Sequence, residues 1–387
     1  MNFKRILALL LAALMIFSIC ACKKDDETPA DTSAKETQQK ETQKKDPETD
    51  PSADATETDE PDVDAQFINP LTGLESSVDL SKRRPISVMI NNIGASLPQS
   101  GISSADILFE CLAEGGITRL MMISTEYEKL PKVGSVRSAR DYYIDYAESF
   151  NCIFIHAGGS PIAYDTLANR GNAHIDGVNG PSPEGTFARD QDRLNAGVAS
   201  EHTLFLQGGE AIKNAIETLG YNKDKAEGYE TPMVFMPLEE TAKFDNLATH
   251  IGVPVSSYQY VDYVYDAETG EYLRYQYNGD KHMDSATDTQ LSFTNVILMY
   301  NDSGRISGDE KNRIWMQTTG KGDAYYITNG SYVHIYWEKE AHDSVIKYYY
   351  PDGTEVQFNR GKTMINVIDN SNMDKLVFDD KTDKFEK

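Results

Sequence analysis

The sequence predicts an α+β protein, with a mixed α/β N-terminal domain followed by a mostly antiparallel β C-terminal domain. In the first half, short apolar strand-like runs alternate with helical segments. From about Val255 onward, tyrosines and β-branched residues dominate and turn signals recur at short intervals. The length of 387 residues is sufficient for two domains. We therefore expect an α/β domain over 67–225, a crossover over 226–254 and a β-rich domain over 255–387.

The beginning of the chain has the pattern of a secretory signal. M-N-F-K-R is basic, and the apolar run from Ile6 to Ile19 is shorter than the roughly 20 residues that a spanning helix needs. I-C-A-C at 19–22 resembles the bacterial lipobox, in which lipid is attached to the cysteine after a small residue. We expect residues 1–21 to be removed and Cys22 to carry diacylglycerol that anchors the protein to the outer face of the cell membrane. An ordinary secretory signal is the alternative.

The stretch that follows the signal is polar and acidic. Residues 22–66 are rich in Thr, Asp, Glu and Lys and contain almost no apolar residue larger than alanine. Such a segment cannot bury enough apolar surface to offset its chain entropy, so we expect a disordered tether. The whole chain carries a formal net charge of −24. This charge disfavours a nucleic-acid partner, which would need clustered Lys and Arg.

The N-terminal domain shows strand and helix signals in alternation. The pair 106–114 and 118–126 flanks Gly115-Gly116 and predicts a hairpin. Other apolar runs predict strands over 84–92 and 151–156. Helical spacing predicts helices over 135–150, 161–169 and 210–221.

The C-terminal domain shows turn signals between strand-like runs. Residues 261–277 predict two strands around D-A-E-T-G, and I-T-N-G-S-Y and Y-P-D-G-T-E-V each contain a tight-turn signal. Seven or eight strands are expected in all, and the crossover before them contains one weak helical pattern over 238–251. The many tyrosines are interpreted mainly as strand formers. Alternatively, several of them could line a sugar or peptide groove.

The stretch G-S-V-R-S-A-R-D-Y-Y (134–143) carries two arginines in an acidic chain. On helical spacing, Arg140 lies on the apolar face, where a buried guanidinium needs a carboxylate or an anion. One interpretation is structural: Arg137 pairs with Asp141, and Arg140 pairs with Glu110 or Glu114. The other is an anion site, in which the arginines and a helix N-terminus capped by Ser135 hold phosphate or carboxylate.

A second candidate site is I-F-I-H-A-G-G-S-P (153–161). A buried strand ends at His156, Gly158 and Gly159 allow a tight turn, and Ser160 is placed to cap the next helix with proline at its first position. The motif is either an ordinary strand–helix turn or part of a ligand site. If the two predicted helix starts converge, Arg137, His156 and Ser160 line one polar pocket.

No established catalytic or metal signature is visible in the sequence. His282 and Asp284 are two residues apart, which is weak evidence for a metal, and no metal or cofactor is predicted. Cys111 and Cys152 lie in apolar runs, either as a disulfide or as two buried thiols. A role for His156 or His202 as a general base remains an open alternative.

Four motifs together resemble the YerB-like lipoprotein family, a two-part bacterial family whose halves are both domains of unknown function. They are N-P-L-T-G-L, G-S-V-R-S-A-R-D-Y-Y, I-F-I-H-A-G-G-S-P and F-N-R-G-K-T-M-I-N-V, and they extend from Asn69 to near Ile368. The resemblance implies an extracytoplasmic α+β protein and supplies no reaction. Relatives tend to have Pro-His-Asn where this chain has Ser-Glu-His-Thr at 200–203, which removes any role for that asparagine.

These observations lead to two hypotheses of different class. The first is a non-catalytic envelope lipoprotein that binds an anionic envelope ligand, such as a polymer, or a protein partner. Its candidate ligand-binding residues are Arg137, Arg140, His156, Gly158, Gly159, Ser160 and His202. The second is a cell-envelope hydrolase or transferase that acts on wall polymers, with His156 or His202 as its base.

Overall fold

The computed structural model of the protein describes residues 67–277, 279–382 and 385. The predicted signal peptide (1–21), the lipid attachment site at Cys22 and the predicted tether (22–66) lie outside the described residues.

The N-terminal half mixes short strands and helices, as expected for an α/β arrangement. Its strands are β1 (Phe67–Ile68), β2 (Glu75–Ser76), β3 (Ile86–Asn91), β4 (Ile107–Leu112), β5 (Thr118–Ser124), β6 (Val133–Gly134), β7 (Ile153–His156), β8 (His174–Asp176), β9 (Phe187–Arg189) and β10 (Leu204–Leu206). Its α-helices are α1 (Asp141–Ser149), α2 (Pro161–Arg170), α3 (Gln191–Asn195) and α4 (Gly209–Thr218). Short 3₁₀ turns connect several of these elements.

The C-terminal half is built mostly from antiparallel strands, so the predicted fold class is confirmed. The strands are β11 (Asn246–Leu247), β12 (His250–Pro254), β13 (Tyr260–Asp266), β14 (Glu271–Gln276), β15 (Asp280–Lys281), β16 (Met283–Asp284), β17 (Thr289–Gln290), β18 (Ser292–Phe293), β19 (Asn295–Asn301), β20 (Ser303–Arg305), β21 (Ile314–Met316), β22 (Gly320–Thr328), β23 (Ser331–Lys339), β24 (Lys347–Tyr349), β25 (Thr363–Asp369) and β26 (Val377–Asp379). A 3₁₀ helix, Asn370–Lys375, precedes β26.

Both halves contribute to one large sheet. Its strand order is β11-β23-β22-β19-β25-β4-β5-β3-β7-β8, with β24 paired to β23. The halves meet where β25 pairs in parallel with β4, so that Ile365 lies opposite Phe109. On the N-terminal side, β3, β7 and β8 run parallel to one another. Their carboxyl ends therefore meet at one edge of the sheet, where ligands often bind in such folds.

The two faces of the large sheet are covered differently, because successive strand residues point to opposite sides. Leu108 of β4 shares a core with Val253 and Tyr263 of a second sheet, whose order is β15-β14-β13-β12-β26. Phe109, the next residue, packs on Tyr146 of α1 with ring centroids 5.3 Å apart. Each such fully buried side chain stabilises the fold by about 1.5–3 kcal/mol. The second sheet thus covers one face of the large sheet, and α1 and α2 cover the other.

The helix predicted over 135–150 begins only at Asp141, and the prediction is wrong for 135–140. This stretch is extended, because neighbouring strands supply its backbone partners. The Val136 N–H donates to the Leu204 carbonyl at 2.8 Å, and the Arg137 N–H donates to the Met89 carbonyl at 2.9 Å. Ser135 therefore caps no helix. Tertiary pairing outweighed the helical spacing of the apolar residues.

The weak helix predicted over 238–251 is also wrong. The structure has β11 and the start of β12 there instead. Ile251 and Val253 are fully buried in β12, which is paired with β13 on one side and β26 on the other. The pairing of β12 with two strands decides the conformation of this stretch.

Several local predictions are confirmed. β4 and β5 form the predicted hairpin, and β13 and β14 form the hairpin around D-A-E-T-G. Asn329 and Gly330 join β22 to β23 with φ of 50° and 70°, a left-handed turn that suits Asn-Gly. Tyrosines of the second half are largely core residues, including Tyr263, Tyr272 and Tyr326.

The two cysteines of the folded part are unpaired. Cys111 and Cys152 are both buried free thiols, which is the second of the two alternatives that the sequence left open. Burial raises the pKa of Cys152 to about 12, so the thiol stays protonated and unreactive at neutral pH.

Candidate functional site

Two of the predicted motifs lie side by side at the carboxyl edge of β3, β7 and β8. The Ala139 N–H donates to the Gly158 carbonyl at 2.8 Å, and the Ala157 N–H donates to the Arg137 carbonyl at 3.0 Å. The Ser160 N–H donates back to the Ala139 carbonyl at 3.3 Å. The structure therefore brings the arginine motif and the strand–turn–helix motif together. The arginine motif arrives as an extended segment and not as a helix start.

Arg140 is the residue that precedes α1, and it is buried against a carboxylate. Its Nε donates to Glu114 Oε2 at 3.0 Å, and its Nη2 also pairs with Glu114. Its Nη1 donates to the Ala139 carbonyl at 2.6 Å. The expected pairing of Arg140 with a hairpin glutamate is confirmed, with Glu114 as the partner. Arg140 positions the segment and has little capacity left for a ligand.

Arg119, at the start of β5, shares the same carboxylate. Its Nη2 donates to Glu114 Oε1 at 2.9 Å, and its Nη1 donates to the Ser138 carbonyl at 2.7 Å. Burial, and then the Arg140 guanidinium, lower the pKa of Arg119 to about 10. Although burial opposes it, the two guanidiniums lower the pKa of Glu114 to about 2. One carboxylate therefore serves two arginines.

Arg137 is half-buried and makes its hydrogen bond to a backbone carbonyl. Its Nη1 donates to the Glu201 backbone carbonyl at 3.3 Å, and no carboxylate of the described residues forms an ion pair with it. The predicted pairing with Asp141 is thus wrong, because the extended backbone separates the two side chains. The other guanidinium donors of Arg137 have no hydrogen-bond partner among the described residues, and they lie near the group of Arg119, Arg140 and Glu114.

His202 lies in a 3₁₀ turn next to Arg137. Its Nδ1 is 2.8 Å from the Asn91 side-chain nitrogen at the end of β3. Since the amide nitrogen donates, Nδ1 accepts, and the neutral ring carries its proton on Nε2. Burial, and then the Arg137 charge, lower the pKa of His202. His202 therefore presents an N–H donor and no positive charge at neutral pH.

His156 is fully buried at the end of β7. Its Nδ1 contacts the Gly158 carbonyl at 2.8 Å, and its Nε2 contacts His174 Nδ1 at 3.1 Å. With both ring nitrogens occupied, His156 has none left for a ligand or for general-base catalysis. Gly158 has φ of 75°, the left-handed conformation that the tight turn requires.

The rest of the strand–turn–helix motif has a structural role. Ser160 caps α2 as predicted, since its Oγ accepts from the Ala163 N–H at 3.1 Å, and Pro161 occupies the first turn. At Gly159, an added Cβ would come within 3.2 Å of the Tyr164 ring, so the small residue allows helix α2 to lie close. These residues shape the edge of the site.

Sequence reasoning missed Arg119 and His174 as members of the cluster. Arg119 stands in T-R-L-M-M-I-S, a strand that is otherwise buried, and a charge in such a run is the signal that could have drawn attention to it. His174 and Asp176 stand on the three-residue strand β8, which is too short for a periodic pattern. Only the parallel pairing of β7 with β8 places His174 beside His156.

A second charged cluster lies between the large sheet and the second sheet. Glu110 and Arg274 form an ion pair at 2.6 Å, and both side chains are fully buried. His282 uses both ring nitrogens there, on Arg274 and on Gln99. Asp284 accepts from the Gly101 N–H at 2.8 Å. His282 and Asp284 are therefore structural residues.

The described residues contain neither a cluster of metal-ligating side chains nor a membrane-spanning helix. In the part of the chain that the structure describes, no three His, Cys, Asp or Glu side chains are grouped as metal ligands. No helix in the described ranges is long and apolar enough to cross a bilayer. A cleft of about 800 Å³ lies at the opposite end of the large sheet beside β24 and includes Tyr229, Lys321 and Tyr349.

The fold defines an α+β protein whose two halves share one large sheet. Comparison with family models places it among proteins of unknown function. A family model described as "Protein of unknown function (DUF3048) N-terminal domain" matches residues 71–222. A second model, described as "Protein of unknown function (DUF3048) C-terminal domain", matches residues 251–365.

Two comparisons with individual proteins name a bacterial relative. The curated protein "Putative lipoprotein YerB" of Bacillus subtilis (strain 168) is 31% identical over 312 residues, which are 80% of this chain and 88% of the relative. The crystal structure of the YerB protein from Bacillus subtilis matches with a TM-score of 0.68 at 27% identity, over 81% of this chain and 99% of that chain. The chain therefore belongs to the YerB family of DUF3048 proteins.

Proposed function

We propose that this protein is a membrane-anchored lipoprotein of the cell envelope that binds an anionic ligand through Arg137, without catalysing a reaction. The anchoring part is supported by I-C-A-C at 19–22 and by the name of the curated relative, a lipoprotein. Diacylglycerol on Cys22 would hold the folded part at the outer face of the membrane. The binding part is supported by the charges at the carboxyl edge of β3, β7 and β8.

The single observation that carries the binding proposal is the grouping of three guanidiniums around the Glu114 carboxylate, with Glu201 as the further carboxylate whose charge acts on Arg137. Arg119 and Arg140 share this one carboxylate, and Arg137 adds a third guanidinium without an ion-pair partner among the described residues. The chain as a whole has a net charge of −24, so a group of three neighbouring arginines is unusual in it. Partly buried guanidiniums are stabilised when an anion supplies the missing negative charge.

The donors at this edge suit a phosphate or a carboxylate. A guanidinium offers a planar fork of N–H groups that matches two oxygens of such an anion. The neutral His202 adds the Nε2–H donor beside Arg137, and the Asn91 contact holds the ring in that tautomer. Arg140 and Arg119 hold the segment that carries Arg137 in place. Their charges add to the electrostatic potential at the site, but their donors are largely occupied by Glu114 and by backbone carbonyls.

The alternative of an envelope hydrolase or transferase has less support. His156 lacks a free ring nitrogen, so the first candidate base is occupied. The Asn91 contact leaves His202 Nε2 as an N–H donor, which suits binding of an anion better than removal of a proton. The arrangement thus favours a binding protein over an enzyme.

The binding proposal is tested with full-length lipidated protein purified from membranes. Titration with inorganic phosphate and methyl phosphate, followed by calorimetry or NMR, measures the affinity of wild type, Arg137→Ala and the control Arg305→Ala. Arg305 is an exposed arginine on β20. We expect Arg137→Ala to bind about tenfold more weakly, the loss of one charge-assisted hydrogen bond, and the control to bind as wild type does. Equal affinities of the wild type and Arg137→Ala contradict the proposal.

The anchoring proposal has its own test. Replacement Cys22→Ala removes the lipid attachment site and is expected to move the protein from the membrane fraction to the supernatant, with an unchanged thermal midpoint of the folded part. The matched control is Cys20→Ala, which should stay in the membrane fraction. Retention of Cys22→Ala in the membrane would contradict lipid anchoring at this residue.

A further inference from the structure

Strands β22, β23 and β24 form the outer part of the large sheet, and their two faces are covered differently. On the face that shares a core with α1, Tyr326, Ile335 and Trp337 are fully buried. Successive strand residues point to opposite sides, so the residues between them form the other face. Several polar or aromatic residues there are at least partly exposed, and we call them the open face: Lys321, Asp323, Tyr336, Glu338, Lys347 and Tyr349.

The second sheet covers only the beginning of β23 on this side. Phe378 of β26 stacks on Tyr332, with the ring centroids 4.1 Å apart. β26 is the last strand of the second sheet at this edge. Tyr336 lies four residues beyond Tyr332 on β23 and is partly exposed. The second sheet therefore leaves the open face accessible.

Charged side chains form a row across the open face. In the antiparallel register, Glu338 lies opposite Lys321 on one side and opposite Lys347 on the other. Lys321 Nζ is 2.8 Å from Glu338 Oε1, and Lys347 Nζ is 3.8 Å from Glu230 Oε2. Each lysine therefore has a carboxylate beside it, and the row presents hydrogen-bond donors and acceptors in alternation.

A pair of tyrosines lies next to this row. Tyr336 is directly opposite Tyr349 in the register of β23 and β24. Opposite side chains in an antiparallel pair lie close together on one face, so the two side chains are neighbours. The Lys321 ammonium lies 5.9 Å from the centroid of the Tyr336 ring and connects the row to the pair. An aromatic surface and a row of hydrogen-bonding groups thus lie side by side.

The open face leads into the cleft beside β24. The cleft has a volume of about 800 Å³, which is within the range of ligand sites in proteins. The residues of the open face that also line the cleft are Lys321, Glu338, Lys347 and Tyr349.

One wall of the cleft is built around a buried lysine. Glu340 and Ser344 line the cleft from the loop that follows β23. Lys339 is buried beneath this loop, and its Nζ donates to the Ala341 carbonyl at 2.9 Å and to the Ser344 carbonyl at 2.5 Å. The ammonium therefore holds the loop in place, and the cleft is preformed.

The charges and the strand edge at the cleft argue against two classes of ligand. The lining contains three lysines and three glutamates, so a charged ligand meets no net opposite charge. A peptide strand finds no free edge at β24, because the Tyr348 carbonyl accepts from the Val356 N–H at 2.9 Å. An uncharged ligand with many hydroxyl groups fits, since a hydroxyl both donates and accepts and can bridge a lysine and a glutamate.

We propose that the open face and the cleft bind an uncharged carbohydrate chain. The apolar C–H face of a sugar ring packs on Tyr336 and Tyr349, and its hydroxyl groups bond to the lysines and glutamates of the row. This site is separate from the Arg137 region, because β24 and the edge formed by β3, β7 and β8 lie at opposite ends of the large sheet. The carbohydrate site does not depend on the anionic ligand of the proposed function.

The test uses full-length protein and two uncharged tetrasaccharides: chitotetraose, whose sugars carry N-acetyl groups, and maltotetraose, whose sugars carry only hydroxyl groups. Calorimetry measures the affinities, and thermal melts check that the variants fold. We expect the wild type to bind at least one tetrasaccharide, and Tyr336→Ala and Tyr349→Ala to bind it about fivefold more weakly, the value of one aromatic contact. Tyr349→Phe keeps the ring and should bind as wild type does. The control Tyr258→Ala removes an exposed tyrosine between β12 and β13 and should also bind as wild type does.

NMR of the wild type supplies a readout that needs no variant. The resonances that shift on addition of the sugar should belong to the open face and the cleft. The carbohydrate site is overturned if the wild type binds neither tetrasaccharide, if both alanine variants bind as tightly as the wild type, or if the shifted resonances lie elsewhere. These outcomes leave the phosphate titration of Arg137→Ala untouched, so the proposed function is judged separately.

Discussion

Glu110 and Glu114 stand on the same β-hairpin and meet arginines on opposite faces of the large sheet, with different results. Glu110 pairs with one arginine, Arg274, and also accepts from Asn92 at 2.9 Å and from Asn366 at 2.9 Å. All of these side chains are buried between the two sheets. The charges balance one to one, and the cluster is closed.

Glu114 has two arginine partners, and its side chain is 25% exposed. A third arginine, Arg137, lies nearby and forms no direct ion pair among the described residues, although the charge of the exposed Glu201 carboxylate acts on it. An arginine–glutamate contact therefore does not by itself indicate a role. A fully buried cluster whose arginine and glutamate are paired one to one is structural. A partly exposed cluster in which arginines outnumber the carboxylates that pair with them is a place where an anion can bind.

The largest expected effect on stability is at the buried cluster of Glu110 and Arg274. Glu110→Gln leaves the Arg274 charge buried without a counter-charge, which is expected to destabilise the protein by about 3–5 kcal/mol. The measurement is urea unfolding of the full-length protein. Replacing both partners by apolar residues, Glu110→Leu with Arg274→Met, should restore much of the loss. A Glu110→Gln variant as stable as wild type would show that the closed cluster is not structural.

The partly exposed cluster around Glu114 should respond differently to the same substitution of glutamate by glutamine. Glu114→Gln is expected to lower the free energy of unfolding by about 2 kcal/mol, less than Glu110→Gln, because Glu114 is partly exposed to water. It should also bind methyl phosphate more tightly, by about fivefold, since Arg119 and Arg140 lose their carboxylate. Weaker phosphate binding by a folded Glu114→Gln variant would argue against an anion site.

The pH dependence of stability distinguishes the contribution of Glu114. Its pKa is lowered from 4.5 to about 2 in the folded state. A carboxylate with a lowered folded pKa stabilises the protein above its unfolded pKa and loses this effect as the pH falls through the folded pKa. The difference in unfolding free energy between wild type and Glu114→Gln should therefore be full near pH 6 and shrink between about pH 4.5 and pH 2. A difference that is constant over this range would contradict the ion-pair assignment.

The smallest effect on stability is expected at Arg137. Its side chain is half-buried, and its described hydrogen bond is a 3.3 Å contact with a backbone carbonyl. Arg137→Ala should change the free energy of unfolding by no more than about 0.5 kcal/mol while weakening phosphate binding. A thermal melt beside the binding titration checks both statements. Loss of several kcal/mol would mean that Arg137, like Arg274, belongs to the structural framework.

Local signals in the sequence predicted the elements whose partners are close in the chain. Gly115-Gly116 and D-A-E-T-G predicted their hairpins, and Ser160 with Pro161 predicted the start of α2. The same kind of reasoning failed at 135–140. There the backbone partners are Met89 and Leu204, which are distant in the sequence, and no local preference specifies them.

Sequence reasoning predicted only part of the candidate site, because the other contacts join residues that are distant in the sequence. The sequence singled out Arg137 and His202, and the structure places them beside one another. It could not assign Glu114 to two arginines, because Arg119 reaches the cluster only through the pairing of β5 with β4. It could not find His174, because β8 becomes the neighbour of β7 only in the folded sheet.

By itself, the sequence determined the α+β class, the helix cap at Ser160 and the need for a counter-charge at Arg140, since composition, turn chemistry and the cost of burying a charge act locally. Only the folded chain brings β25 beside β4 in one sheet, leaves Arg137 without an ion-paired carboxylate among the described residues and places His174 Nδ1 3.1 Å from His156 Nε2. Those outcomes depend on which distant groups come within hydrogen-bond distance. That distance is set by long-range strand pairing.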